Sequence, residues 1–291
     1  MPSHPLAEVF GFPANNLSEE ANRSRRNRLC PFNNRVPNCT KDKANNPLGV
    51  CSIYHNSDTV ITCPIRFREG WVVAEHAASF FFPANATWTS LTEVRLNDRY
   101  GRAAGNVDVV LVSYDSGGRI IDFGALEVQA VYISGNIRQP FEHYMADPQG
   151  RKGMDWSRQP NYPRPDYLSS SRKRLAPQLL YKGGIINTWK RKIAVAVGAS
   201  FYGTLPDFEQ VDPADADLAW LIYDLQRGQT DNHYSLHLNR AIYSRFDLSL
   251  NQITHPHAGD VQEFIGQLQE KLDDLLEDEN PPDAPILDVI L

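Results

Sequence analysis

The chain has 291 residues, 42% hydrophobic and 22% charged, with a formal net charge of −6, enough apolar material for one substantial core and a small appended module. No run reaches the roughly 18 consecutive apolar residues of a membrane helix, and the opening Met1-Pro2-Ser3-His4-Pro5 lacks the charged and apolar regions of a signal peptide, so a cytoplasmic protein is expected. The charge is unevenly spread: residues 138–192 carry twelve Lys/Arg against four Asp/Glu, whereas 207–291 carry four against eighteen, as in a protein with one polyanion-binding face and a solvated opposite side.

In chain order, Asn16 and Glu19 have capping-box spacing ahead of a short polar helix over 18–28. Cys30, Cys39, Cys51 and Cys63 are the only cysteines. In a reducing compartment such a cluster reads as a metal site more readily than as two disulfides, with unrelated buried thiols as the other reading. The stretch 30–46, rich in Asn, Pro and Lys, has no hydrophobic period, so something other than apolar burial must hold it. Residues 1–64 are therefore set apart as an N-terminal arm and four-cysteine metal module, and 65–291 as the main domain.

The spacing of Ile65, Phe67, Trp71, Val72, Ala74, Ala78 and Phe82 predicts a buried helix ended by Pro83. Three strands follow, at Leu91 to Leu96, Asn106 to Val112 and Arg119 to Ile133, the last two joined by the turn Asp115-Ser-Gly-Gly118. Residues 135–171, with five prolines, are expected to form a long functional connection. A helix over 175–189 interrupted at Gly183-Gly184, strands at 193–201, 218–225 and 234–246, a core-packing helix at 260–277 and an extended tail from Asn280 complete the reading.

The chemistry lies in the second and third of these strands. Glu127 and Gln129 sit two apart and share a face, surrounded by Leu126, Val128, Val131 and Ile133. A carboxylate in so apolar a segment is costly unless compensated. The hairpin partner strand supplies Asp108, and two acids on adjacent buried strands can share a divalent cation of the kind that favours oxygen ligands, such as Mg2+.

Asp108 followed by Glu127-Val-Gln129 resembles the core of the PD-(D/E)xK nuclease superfamily, with Gln in place of Lys. A glutamine can orient an attacking water but cannot take its proton at neutral pH. The order four cysteines, Glu93, Asp108, Glu127-x-Gln129, preceded by His4-Pro-Leu-Ala-Glu-Val-Phe-Gly11, resembles the NotI family of type II restriction endonucleases, over roughly residues 4–133 and more weakly beyond.

That resemblance implies an α/β fold with a central mixed sheet flanked by helices and an N-terminal four-cysteine module. It implies structural iron, or alternatively zinc, on Cys30, Cys39, Cys51 and Cys63, and catalytic roles for Glu93, Asp108, Glu127 and Gln129. It further implies a homodimer cutting a GC-rich palindrome in double-stranded DNA, and a cognate DNA methyltransferase protecting the host in a bacterial cytoplasm. On this reading Asp108 and Glu127 hold the principal Mg2+, Glu93 is an outer or second-metal ligand, and Gln129 orients water.

DNA recognition falls to the basic segment. Guanines are best read by bidentate arginine, so several of Arg138, Arg151, Arg158, Arg164, Arg172 and Arg174 are expected to read them, with Lys152 and Lys173 on phosphates and Arg151-Lys152 and Arg172-Lys173-Arg174 the leading candidates for DNA contact. Lys182, Lys190 and Lys192 are expected on phosphates, and Arg23, Arg25, Arg26 and Arg28 are candidate DNA contacts of the arm. Two other readings remain: a non-catalytic, metal-containing DNA-binding regulator, which leaves the three acids unexplained, and a carboxylate-pair glycosidase, which leaves the basic segment unexplained.

Overall fold

The structure, a computed structural model, describes residues 3–33, 36–43, 45–228, 233–255 and 258–277. Residues Met1–Thr254 form one unit and His255–Leu291 a second. The tail expected to be extended from Asn280 lies outside the described residues.

The first unit opens with strands β1 (Leu6–Val9) and β2 (Phe12–Pro13), then helix α1 (Glu19–Asn27). The helix is capped by Ser18, whose hydroxyl accepts from the Ala21 amide, and not by Asn16. Asn16 instead accepts from the Ser18 amide, one step upstream. Strands β3 (Val50–His55) and β4 (Asp58–Ile61) complete a four-stranded antiparallel sheet ordered β2-β1-β3-β4. Buried Glu8 on β1 anchors this sheet: it accepts from Ser52 on β3 and pairs with Arg66 at 3.1 Å, both side chains fully buried. Arg66 also donates to Glu69 and to the Tyr234 carbonyl, and stacks on Phe32, so one guanidinium joins segments far apart in sequence.

The helix expected over 65–82 divides in two. A 3₁₀ segment, Pro64–Trp71, ends where Glu69 is extended and Gly70 has φ 55°, and helix α2 (Val72–Phe81) starts there. The glycine supplies a left-handed turn that apolar spacing does not register. Phe82, before Pro83, is extended as proline demands of its neighbour.

The central sheet has six strands, built from β5 (Trp88–Asn97), β6 (Ala103–Tyr114) and β7 (Ile120–Gln129), then β10 (Ile193–Gly198), β11 (Leu218–Arg227) and β12 (Tyr234–Ser244). Its order is β12-β11-β10-β7-β6-β5. Strand β10 runs parallel to both neighbours, β7 and β11, while the outer pairings are antiparallel, so the sheet is mixed. All six residues of β10 are buried, as expected of a parallel strand covered on both faces. Alternate residues feed two cores: Val110, Val112, Val195 and Val197 on one face, Val109, Leu111, Ala194 and Ala196 on the other. Helix α2 covers the second face, coming so close that a Cβ on Gly124 would lie 2.4 Å from the Phe81 ring.

The strand expected from Arg119 to Ile133 stops at Gln129. A separate strand β8 (Tyr132–Ser134) pairs with β9 (Arg164–Asp166). Between them the expected loop contains helix α3 (Arg138–Ala146), with Phe141 and Tyr144 buried. Pro140 is tolerated because it lies in the first turn, where an amide has no intrahelical partner.

After β9 the backbone is helical through 167–188 (α4), with π turns at Ser171–Leu175 and Leu179–Gly183. The glycine pair does not interrupt it. A Cβ on Gly183 would stand 2.6 Å from the Phe246 ring, so that glycine serves close packing. Strand β10 ends at Gly198, followed by the short helix α5 (Ala199–Tyr202), and an unanticipated helix α6 (Phe246–Thr254) follows β12. In the second unit, helix α7 (Val261–Glu277) forms where its period indicates. Its Val261, Phe264, Ile265, Leu268, Leu272 and Leu275 are exposed instead of buried in a core.

Candidate active site

Strands β6 and β7 pair in register from Ser113↔Asp122 up to Val109↔Leu126. Immediately beyond it stand Asp108 and Glu127, close enough for the charge of Asp108 to raise the Glu127 pKa. The Val128 amide donates to Asp108 Oδ2 at 2.9 Å. Glu127 is 4% exposed, and its Oε1 is buried with no hydrogen-bond partner among the described residues.

Glu93 sits on β5 between the pairs Thr92↔Val109 and Val94↔Val107, level with Asp108. Its φ of 57° marks a local break in the strand, and it is exposed. Gln129 is buried and donates its amide to the Ala130 carbonyl at 2.6 Å, which leaves its carbonyl oxygen to accept.

A cavity of about 270 Å³ is lined by Glu93, Asp108, Gln129, Tyr132, Arg174 and Gln178, with Arg68 and Trp71 among the others. Of the four acids and amides expected in the site, Glu93, Asp108 and Gln129 line this cavity, while Glu127 stands beside Asp108 without lining it. Helix α4 forms the opposite wall. Arg174 lies over the Tyr132 ring, 3.7 Å from its centroid, and hydrogen-bonds the tyrosine hydroxyl. Lys173 is exposed on the rim of an adjoining cleft with Ser169 and Pro177.

One cation of the site was not legible as such. Lys182, expected on a phosphate, is 6% exposed and donates to Glu127 Oε2 at 2.5 Å and to the Asn106 carbonyl at 2.9 Å. Other basic residues also differ from expectation. Arg25 is buried and donates to the carbonyls of Asn16 and Pro13, a structural role for a residue expected on DNA. Lys192 donates to the Phe80 carbonyl. Arg151 donates to the His143 carbonyl, while Lys152, Arg172, Lys173 and Arg174 are exposed.

Electrostatics fit a cation between the acids. Burial raises the Asp108 pKa, partly opposed by the Val128 amide and Lys182. Glu127 is pushed up to about 8, by burial first and then by Asp108, against the pull of Lys182. A buried acid beside a half-buried one, both with elevated pKa values, and an unpartnered oxygen are what a divalent ion would relieve. Among the described residues no group of three or more His, Cys, Asp or Glu is arranged to hold a metal ion.

This gives a pH test. In the absence of metal the folded chain holds a proton on Glu127 between its ordinary 4.5 and about 8 that the unfolded chain has released. The stabilisation is complete below the lower value and fades as pH rises through the upper one. Melting in EDTA is expected to decline more steeply from pH 5 to 8.5 for the parent than for Glu127→Gln. Parallel curves would show that the group is not held as described.

All four thiols are free. Hydrogen bonds from the Cys30 amide to Pro37 and from the Cys39 amide to Arg28 close the first loop, and the Thr62 amide to Cys51 brings the second pair together. Cys30 is pushed up to about 11 by burial, then by Cys63 and Cys39, and Cys51 is raised by burial, Cys63, Glu8 and Cys30. Among the described residues the four thiols are not arranged as a group that could hold a metal ion, so the expected four-cysteine centre is not seen here.

A mixed sheet bearing a half-buried and a buried acid side by side, opposite a helix with a basic rim, is a site suited to an anionic, metal-assisted substrate, as in phosphodiester-cleaving nucleases. The family model described as "Restriction endonuclease NotI" matches residues 15–236, and the chain belongs to that family. It is a restriction endonuclease, a type II site-specific deoxyribonuclease acting on DNA. No curated protein matches the chain. Among the described residues no helix is long and apolar enough to cross a membrane.

Proposed function

We propose that the protein is a homodimer that hydrolyses double-stranded DNA at a GC-rich palindrome with Mg2+, in a cytoplasm whose own DNA is protected by a cognate methyltransferase. The observation that carries the chemistry is the convergence of Asp108 and Glu127 beyond the last ladder pair of β6 and β7, with a bare Glu127 oxygen. Asp108 and Glu127 would hold the ion and Glu93, level with Asp108, would be an outer ligand. A bound Mg2+ supplies charge neutralisation at the scissile phosphate and a more acidic water.

The chain's own residues do the rest. Gln129 has its amide fixed on a carbonyl, so its oxygen accepts from the attacking water and orients it. Arg174, on the cavity wall, is better placed to grip the phosphate at the cut than to read a guanine. Arg172, Lys173, Lys152 and Arg151 remain the candidates for DNA contacts. Residues 1–64 would act as the metal-stapled arm of the 65–291 catalytic and recognition domain.

In that arm Cys30, Cys39, Cys51 and Cys63 would hold iron, or zinc, as a structural centre. The family and the clustering of the four cysteines within residues 30–63 support this. A site closed by four thiolates has no open position for substrate, so its loss would act through folding. Purified protein is expected to carry about one iron or zinc per chain, and Cys30→Ala to lose it and melt earlier. A fully stable, fully active Cys30→Ala protein would remove the centre from the account.

The test of the function itself is digestion of sequenced genomic DNA with Mg2+ and with EDTA, followed by reading the fragment ends. Discrete ends at one palindrome, present only with Mg2+, are expected. Binding without cutting would favour the non-catalytic regulator.

A further inference from the structure

We propose that Lys182 is a positioning residue that presents Glu127 to the divalent ion. The proposal rests on the reading of Asp108 and Glu127 as the ion-binding pair. The β6 and β7 ladder ends at Val109↔Leu126, so the backbones of the two strands do not by themselves fix how the two carboxyl groups meet. Two contacts span the gap. The Val128 amide takes Asp108 Oδ2. The Lys182 ammonium takes Glu127 Oε2 and, with a second proton, the Asn106 carbonyl two residues before Asp108.

The consequence is a division of labour between the oxygens of Glu127. Oε2 is tied to a fixed cation, and Oε1 is left buried and without a partner among the described residues. An ammonium has three donors and no acceptor, so it can grip a carboxylate and a carbonyl at once and leave the free oxygen's direction defined.

The surroundings are shaped for this reach. Gly105, at a φ of 115° that favours glycine, lies beside the Lys182 chain at ordinary contact distance, and Gly183 lets Phe246 close against the next residue. Lys182 is 6% exposed and does not line the cavity, so it acts through Glu127 and not on DNA. The cation that Gln129 lacks therefore comes from helix α4 and not from the strand motif.

The test measures Mn2+ binding to the DNA-free protein by calorimetry, beside cleavage with Mg2+, DNA binding with Ca2+, and melting. Partners that orient a metal ligand typically contribute about 10–100-fold in ion affinity or activity. Lys182→Met is expected to weaken Mn2+ binding and lower kcat by that factor while leaving DNA affinity within about twofold, and Lys182→Arg to recover part of both. Lys182→Gln, which keeps a donor group, serves if the methionine variant does not fold, and the same weakening is expected.

Mn2+ affinity unchanged in the folded variants, with only the melting temperature lowered, would overturn the proposal by making Lys182 purely structural. Glu127→Gln in the same assay separates the two levels. If it loses Mn2+ while the Lys182 variants keep it, only the Lys182 proposal fails. If it binds Mn2+ as the parent does, the reading of the site fails.

Discussion

Asp108→Ala and Glu127→Ala are each expected to reduce cleavage by at least about 10³-fold, corresponding to ~4 kcal/mol of transition-state stabilisation. DNA binding in Ca2+ should change by no more than a few-fold. The expectation follows from geometry. The two acids stand side by side beyond the last ladder pair, and on the proposed reading removing either would leave the ion without one of its two protein ligands. Neither acid supports the exposed basic residues Lys152, Arg172, Lys173 and Arg174, which lie on other elements, so binding and chemistry should separate. The measurement is a single-turnover cleavage time course beside a gel-shift titration. Cleavage within tenfold of the parent by either variant would remove it from the catalytic centre. Loss of binding in parallel with loss of cleavage would mean that the substitution acted through the fold.

The second large effect concerns stability. Arg66→Met is expected to destabilise the protein by about 3–5 kcal/mol, the usual consequence of leaving a buried ion without its partner. Glu8 would remain fully buried with only Ser52 as donor, and the contacts to Glu69 and the Tyr234 carbonyl would vanish together. Burial already raises the Glu8 pKa, with Arg66 the chief opposing influence, so the orphaned carboxyl would take up a proton and soften part of the loss. The double variant Glu8→Gln/Arg66→Met should recover some stability because no charge is left inside. Urea unfolding of the four proteins forms a cycle that measures the coupling. A single variant within 1 kcal/mol of the parent would show that the pair is not the tie between the first sheet and the rest of the unit.

Much of the central sheet was legible because its signals are local. Alternation in β6 and the run of small apolar residues in β10 announce strands, and Asp115-Ser-Gly-Gly118 announces the turn between β6 and β7. Asp108 and Glu127 stood out because acids inside apolar strands require an explanation. Helix α3 was hidden by Pro140, a residue that punctuates in most positions but not in a first turn. The Gly183-Gly184 pair misled for the opposite reason: the space it clears is claimed by Phe246, 63 positions away and invisible to a local window.

Lys182 shows the limit most clearly. Its neighbours Leu179, Leu180 and Tyr181 say only that a helix passes. Nothing local says that its ammonium meets a carboxylate 55 residues earlier in the chain. Arg25 was misread in the same way, since one more arginine in a basic arm gives no sign that carbonyls from Pro13 and Asn16 are waiting for it.

The π turn at Leu179–Gly183 makes this region unusually sensitive to length. A π turn carries one residue beyond an ordinary helical turn, and each residue advances the helix by about 100°. Loss of a single codon within 179–183 would reel the turn back to ordinary helix and change which side chain confronts Glu127. Every letter of the strand motif would survive such a deletion, so a genome survey that scores motifs alone would count a mispositioned copy as intact.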